Sequence, residues 1–107
     1  MKLKAATEAF AALSQETRLA AFQLLVKAGG DGLPAGEIAR ALDAMPSTLS
    51  THLGLLQRAG LVSSERRSRQ IVYRVDFNGV GALIGFLMKD CCKGHPTVRA
   101  AAEAAVA

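Results

Sequence analysis

Apolar residues recur along this chain at helical spacing in five places and alternate at strand spacing in one. Leu3, Ala6, Phe10 and Leu13 mark an alanine-rich first helix. Ser14 is a candidate N-cap for a second helix, with Glu16 in its first turn. That helix carries an apolar stripe of Leu19, Phe22, Leu25 and Val26 and stops at Gly29–Gly30. Gly29 to Gly32 reads as a turn, and Leu33 either starts a short strand or leads directly into the next helix. Pro34 suits the first turn of a third helix, Ala35 to Leu42, with Ile38, Ala39 and Leu42 facing inward. After the short turn Asp43-Ala44-Met45, Pro46 opens a fourth helix that ends at Gly60.

The fourth helix has two unlike faces. Leu49, Leu53 and Leu56 fall on one side, while Ser47, Thr51, Gly54 and Arg58 line the other. A solvated face ordinarily carries Glu and Lys; small hydroxyls, a glycine and an arginine suit close approach to something polar. Two short helices joined this tightly form a helix-turn-helix, although plain helical bundles contain similar corners. The residues that follow favour the former. Leu61–Val62 and Ser63 to Arg67 lead through Ser68 into Arg69 to Val75, where Ile71, Tyr73 and Val75 alternate with Val72 and Arg74. A basic hairpin directly after a helix-turn-helix is a wing, placed to meet phosphates while the helix occupies the major groove of DNA.

Phe77 to Asp90 predicts a last helix with Val80, Leu83, Ile84, Leu87 and Met88 apolar. Gly79, Gly81 and Gly85 weaken it intrinsically but allow another backbone to come close. It is either an ordinary core helix or, with the first helix, a dimer seam. Residues 1–92 therefore read as one winged-helix DNA-binding and dimerisation domain, and 93–107 as a C-terminal tail, helical or frayed. The expected fold is mainly α with a small β-hairpin.

Composition narrows the partners. At 107 residues there is room for one small core. Half the residues are hydrophobic but only 5% are aromatic, so Leu, Val and Ala must fill it. The formal charge of +4 is concentrated: from Arg58 to Arg74 five arginines face the single acid Glu65. Cys91 and Cys92 are too few and too close for a secreted disulfide framework. No run resembles a signal peptide or reaches membrane-spanning length. The expectation is a soluble protein of a reducing cytoplasm with no membrane partner.

Four phrases together resemble the ArsR/SmtB family of small winged-helix repressors: SQETRLAAFQLL at Ser14–Leu25, LPAGEIARAL at Leu33–Leu42, MPSTLSTHLGLLQRAGLV at Met45–Val62 and RRSRQIVYRV at Arg66–Val75. The resemblance spans most of the first three-quarters of the chain. It implies a homodimer that binds double-stranded operator DNA and leaves it when a metal or metalloid inducer binds. The family's common sensing positions do not match: the third helix has no cysteine, and Phe77 to Lys89 contains no histidine and no acid. What remains is DCCKGHP at Asp90–Pro96, which is similar to the C-terminal thiol site of some arsenite-responsive members. Thr97, Val98 and Arg99 stand where those members tend to carry a third cysteine.

Trivalent arsenic is soft and prefers thiolate to oxygen or imidazole. Adjacent cysteines on a helix point about 100° apart, so Cys91 and Cys92 could pinch one soft centre. Two thiolates suffice for a methylated arsenical such as methylarsenite; arsenite needs a third donor, from the other subunit, His95 or a small thiol. Lys89 and Lys93 favour the thiolate form. The competing possibilities are core filling, another thiophilic metal and an oxidant; no permanent cofactor is expected. For DNA, Ser47, Thr48, Ser50 and Thr51 are expected to meet base edges or phosphates. Arg66, Arg67 and Arg69 are expected at backbone or minor groove. His52 sits between the leucine stripe and the polar face, either toward DNA or in an interior hydrogen bond. Arg58 is expected to pair with an acid or a phosphate. No nucleophile–base pair or paired carboxylates are visible, and neither cysteine heads an arginine-closed oxyanion loop, which excludes the enzyme reading. A winged helix that binds a protein in place of DNA is the remaining alternative.

Overall fold

The computed structural model describes the backbone of residues 1–91 and 93–107 and all of their side chains except those of Asp90 and Cys91. Helices α1 (Leu3–Leu13), α2 (Glu16–Ala28), α3 (Ala35–Leu42) and α4 (Pro46–Arg58) precede a hairpin of β2 (Val62–Arg67) and β3 (Gln70–Val75). Helix α5 (Phe77–Phe86) runs into a π-helical turn, Leu87–Cys91, and α6 (Pro96–Val106) ends the chain. Leu33 does start a strand. β1 (Leu33–Pro34) pairs antiparallel with β3, giving a three-stranded sheet ordered β1-β3-β2. Gly32 makes that approach possible: φ there is 69°, and a β-carbon would collide with the Tyr73 carbonyl.

The core is aliphatic, as composition required. Leu25 of α2, Ile38 of α3, Leu49, Leu53 and Leu56 of α4, and Leu61 are fully buried, joined by Val62, Tyr73 and Val75 from the sheet. The leucine stripe of α4 is therefore its packing face, and removing one such side chain costs about 2–5 kcal/mol. α3 ends at Asp43 in the left-handed conformation (φ 50°, ψ 46°), which turns the chain sharply into α4. Ser64 Oγ donates to Gln57 Oε1 at 3.0 Å, so the wing is tied to α4 by a side-chain bond.

Three details differ from the sequence reading. Gln15, not Ser14, caps α2, its Oε1 accepting from the Arg18 backbone N–H at 2.8 Å. Ser14 instead closes α1, its hydroxyl donating to the Ala11 carbonyl. α1 turns Ala6, Ala9 and Ala12 inward and leaves Leu3 and Phe10 exposed, and Leu19 and Val26 of α2 are also exposed. Small residues face the core because α1 packs closely on it. Pro34 is the extended residue before α3 and the last of β1, not part of the helix's first turn.

The turn that follows α4 and the start of α5 meet through their backbones. Asp76 caps α5 by accepting from Gly79 N–H at 3.1 Å, and its own N–H donates to the Leu61 carbonyl at 2.9 Å. A β-carbon on Gly79 would collide with the Gly60 carbonyl oxygen. A β-carbon on Gly81 or Gly85 would meet nothing within 4 Å among the described residues. α6 buries none of its residues, and no described helix is long and apolar enough to cross a membrane.

Candidate nucleic-acid interface

With Leu49, Leu53 and Leu56 buried, helical geometry turns Ser47, Thr48, Ser50 and Thr51 to solvent, and all four are exposed. Ser47, Thr48, Thr51 and His52 line an open depression of about 350 Å³. The Thr51 hydroxyl donates back to the Ser47 carbonyl at 3.3 Å, so its methyl group and lone pairs are what it offers outward. Arg58, one turn beyond Gly54, is exposed, and a β-carbon on Gly54 would stand 3.6 Å from its Nη1. The guanidinium thus lies along the polar face. No hydrogen bond or ion pair to it is present among the described residues.

His52 makes the interior contact that was one of its two expectations. It is half-buried, and Nδ1 lies 3.1 Å from Arg18 Nη1, while the ring still borders the exposed depression. Arg18 also donates through Nε to the Ala12 carbonyl at 2.7 Å. One arginine in the first turn of α2 therefore links the end of α1 to α4. Sequence reading missed it. The signal available was a cation, Arg18, placed one residue before the apolar run Leu19 to Phe22.

The wing does not present its arginines equally. Strand geometry sends neighbours to opposite faces, so Arg66 shares a face with Ser64, the side tied to α4. Arg67 lies with Glu65 on the other. Glu65 Oε1 accepts from Arg67 Nε at 2.7 Å and from Arg74 Nη2 at 3.1 Å. The Arg67 hydrogen bond and charge, assisted by Arg74, hold the Glu65 carboxyl below its ordinary pKa. Ser68 and Arg69 form the two-residue loop, and Arg66 and Arg69 carry no ion pair among the described residues. The surface offered beside α4 is therefore basic, with Glu65 offsetting part of it.

The predicted thiol site, Cys91 and Cys92, falls outside what can be described: Cys91 ends the π-helical turn but its side chain is not described, and Cys92 lies outside the described residues. His95 is exposed and caps α6, its Nδ1 accepting from Thr97 N–H at 3.1 Å.

A helix-turn-helix whose second helix is buried by leucines and exposed by hydroxyls, followed by a basic β-ribbon, defines a winged helix-turn-helix domain. Residues 13–65 match the family described as a helix-turn-helix domain. The chain is 33% identical over 95 residues to the HTH-type transcriptional regulator YgaV of Escherichia coli strain K12, covering 85% of this chain and 94% of that one. Among solved structures it is similar to an ArsR-like transcriptional regulator from Rhodococcus sp. RHA1, with TM-score 0.73, 29% identity, and 97% and 93% of the two chains covered. It is also similar to a homodimeric winged helix-turn-helix DNA-binding domain from Mycobacterium bovis, a possible ArsR-family regulator, with TM-score 0.65, 25% identity, and 88% and 87% covered. The chain belongs to the ArsR-like winged-helix transcriptional regulators, and its function is DNA-binding regulation of transcription.

Proposed function

We propose that this protein is a homodimeric cytoplasmic repressor that leaves its operator when trivalent arsenic, as arsenite or methylarsenite, binds Cys91 and Cys92. The observation that carries the DNA half is the exposed Ser47, Thr48, Ser50 and Thr51 surface of α4, with half-buried His52 at its edge, followed in the chain by the wing that carries Arg66, Arg67 and Arg69. Side chains this short let the helix backbone approach base edges, and the wing supplies cations for phosphates. Support for the dimer comes from apolar side chains left uncovered on α1 and α5, together with the homodimeric relative. Support for the inducer site is chemical: two adjacent cysteines flanked by Lys89 and Lys93 form a soft, thiolate-favouring donor pair. Cys91 ends the π-helical turn that continues α5, and the first turn of α5 abuts Gly60 just past α4, so α5 itself connects the thiol end to the reading helix. A single turn of π-helix, a geometry found frequently at functional positions, lies where that helix meets the pair.

The test is release of a duplex selected with this protein from random sequence. Arsenite and methylarsenite are titrated beside zinc and hydrogen peroxide, against the native protein, Cys91→Ser, Cys92→Ser and the double variant. Release by an arsenical that disappears in the double variant supports the proposal. Release that persists there removes the thiols from the mechanism, and release by zinc or peroxide alone replaces arsenic with another inducer. No selectable duplex at all would leave the protein-binding alternative standing.

A further inference from the structure

Arginine is a cation with five N–H donors and no acceptor. Arg18 Nη1 stands 3.1 Å from His52 Nδ1, so that ring nitrogen must be the acceptor. The imidazole is then neutral with its proton on Nε2, a tautomer assigned from the chemistry of its partner. No acceptor for Nε2–H is present among the described residues. The ring borders the depression with Ser47, Thr48 and Thr51, on the face offered to DNA. We propose that Arg18 is a positioning residue for DNA reading: it fixes His52 in the Nε2–H tautomer, making the ring a pure donor toward the duplex.

The proposal rests on the DNA-reading function above and deepens it. A histidine with both nitrogens free exchanges tautomers and would donate and accept alternately. Held by Arg18, His52 recognises only acceptors: a purine N7 or another acceptor on a base edge in the major groove, or a phosphate oxygen. Thr51 beside it is the opposite, since its hydroxyl proton is spent on the Ser47 carbonyl and lone pairs are left outward. Arg18 is itself immobilised twice more. Its backbone N–H is capped by Gln15 Oε1, and its Nε donates to the Ala12 carbonyl. The guanidinium therefore reaches His52 from a fixed base.

The experiment uses the full chain, labelled with nitrogen-15, and reads the imidazole nitrogens of His52 by long-range proton–nitrogen correlation, with His95→Gln to separate the second histidine. Nδ1 is expected unprotonated and Nε2 protonated in the native protein, with the tautomers mixed in Arg18→Met. Duplex affinity is expected to fall about tenfold in Arg18→Met, the scale of one good contact. In a His52→Ala background, Arg18→Met should cost little more, because the two act as one unit. A role for Arg18 in folding alone would instead give the same loss in both backgrounds and overturn the proposal. Substituting 7-deazapurines and methylphosphonates position by position in the duplex distinguishes a base edge from a phosphate as the acceptor. A protein with the expected tautomer shift that binds no duplex overturns the DNA-reading function. Duplex binding with a tautomer indifferent to Arg18→Met overturns the positioning role alone.

Discussion

Ser68 holds a backbone conformation that its side chain does not favour. It is the first residue of the two-residue loop between β2 and β3, with φ of 58°, while Arg69 has negative φ. Positive φ at the first loop position alone is the pattern of a type II′ hairpin, which prefers glycine there. Ser68→Gly is therefore expected to stabilise the domain by about 0.5–1 kcal/mol, read as a higher denaturant midpoint; a lower midpoint would show that the serine is not strained. Glu65 supplies the second residue-scale test. Its lowered pKa means that the folded state binds the proton more weakly than the unfolded chain. Its contribution to stability is thus present above the ordinary carboxylate pKa and lost as pH falls through the lowered one. The same contacts hold Arg67 and Arg74 away from a ligand. Glu65→Gln should tighten duplex binding about two- to fivefold at moderate salt, with the gain shrinking as salt is raised. Equal or weaker affinity would mean that Arg67 does not reach the phosphates.

At the scale of elements, the contact of α5 with the end of α4 is the most sterically exacting. Gly79→Ala would drive a methyl group into the Gly60 carbonyl, and the two helices must separate. The expected cost is about 2 kcal/mol. Gly36→Ala in the first turn of α3 faces only the far end of Arg40 and should be neutral or stabilising, by up to about 1 kcal/mol. Urea unfolding of the two variants side by side decides it; similar effects would mean that no close approach exists. The elements were legible in the sequence because apolar spacing reports helix and strand directly. α3, α4 with its buried Leu49, Leu53 and Leu56, and the basic hairpin all fall where the pattern puts them. What spacing does not reveal is which side of an apolar helix meets the core. In α1 the inward residues are Ala6, Ala9 and Ala12, and the larger Leu3 and Phe10 face out. The exposed hydroxyl face of α4 was legible by residue type, but the pairing state of the side chains around it was not. The Arg18–His52 bond joins residues 34 positions apart, and the Glu65 pairing depends on β2–β3 register, neither of which local spacing contains.

For the whole molecule, each protomer leaves a large apolar surface on the two helices that flank the winged core. Leu3 is 73% exposed and Phe10 39% on α1, and Phe77 and Ile84 are each 55% exposed on α5. Phe77, Gly81 and Ile84 follow one another along a single face of α5, with open space beside Gly81. A second copy covering these residues would present two reading helices to one duplex, and the second contact would then form at the high local concentration set by the first. Phe10→Ser combined with Ile84→Lys should therefore yield a folded monomer, with native far-ultraviolet circular dichroism and half the native mass in sedimentation equilibrium. Its affinity for the selected duplex should fall on the order of a hundredfold or more, although both residues lie outside α4 and the wing. The salt dependence separates the two contributions. The monomer should lose roughly half of the native slope of log affinity against log salt, because half the phosphate contacts go with the missing copy. Arg66→Ala with Arg69→Ala in the dimer should lower the slope while leaving the mass unchanged. A double apolar variant that stays dimeric places the seam elsewhere. One that becomes monomeric yet binds as tightly as before shows that a single α4 and wing carry the affinity.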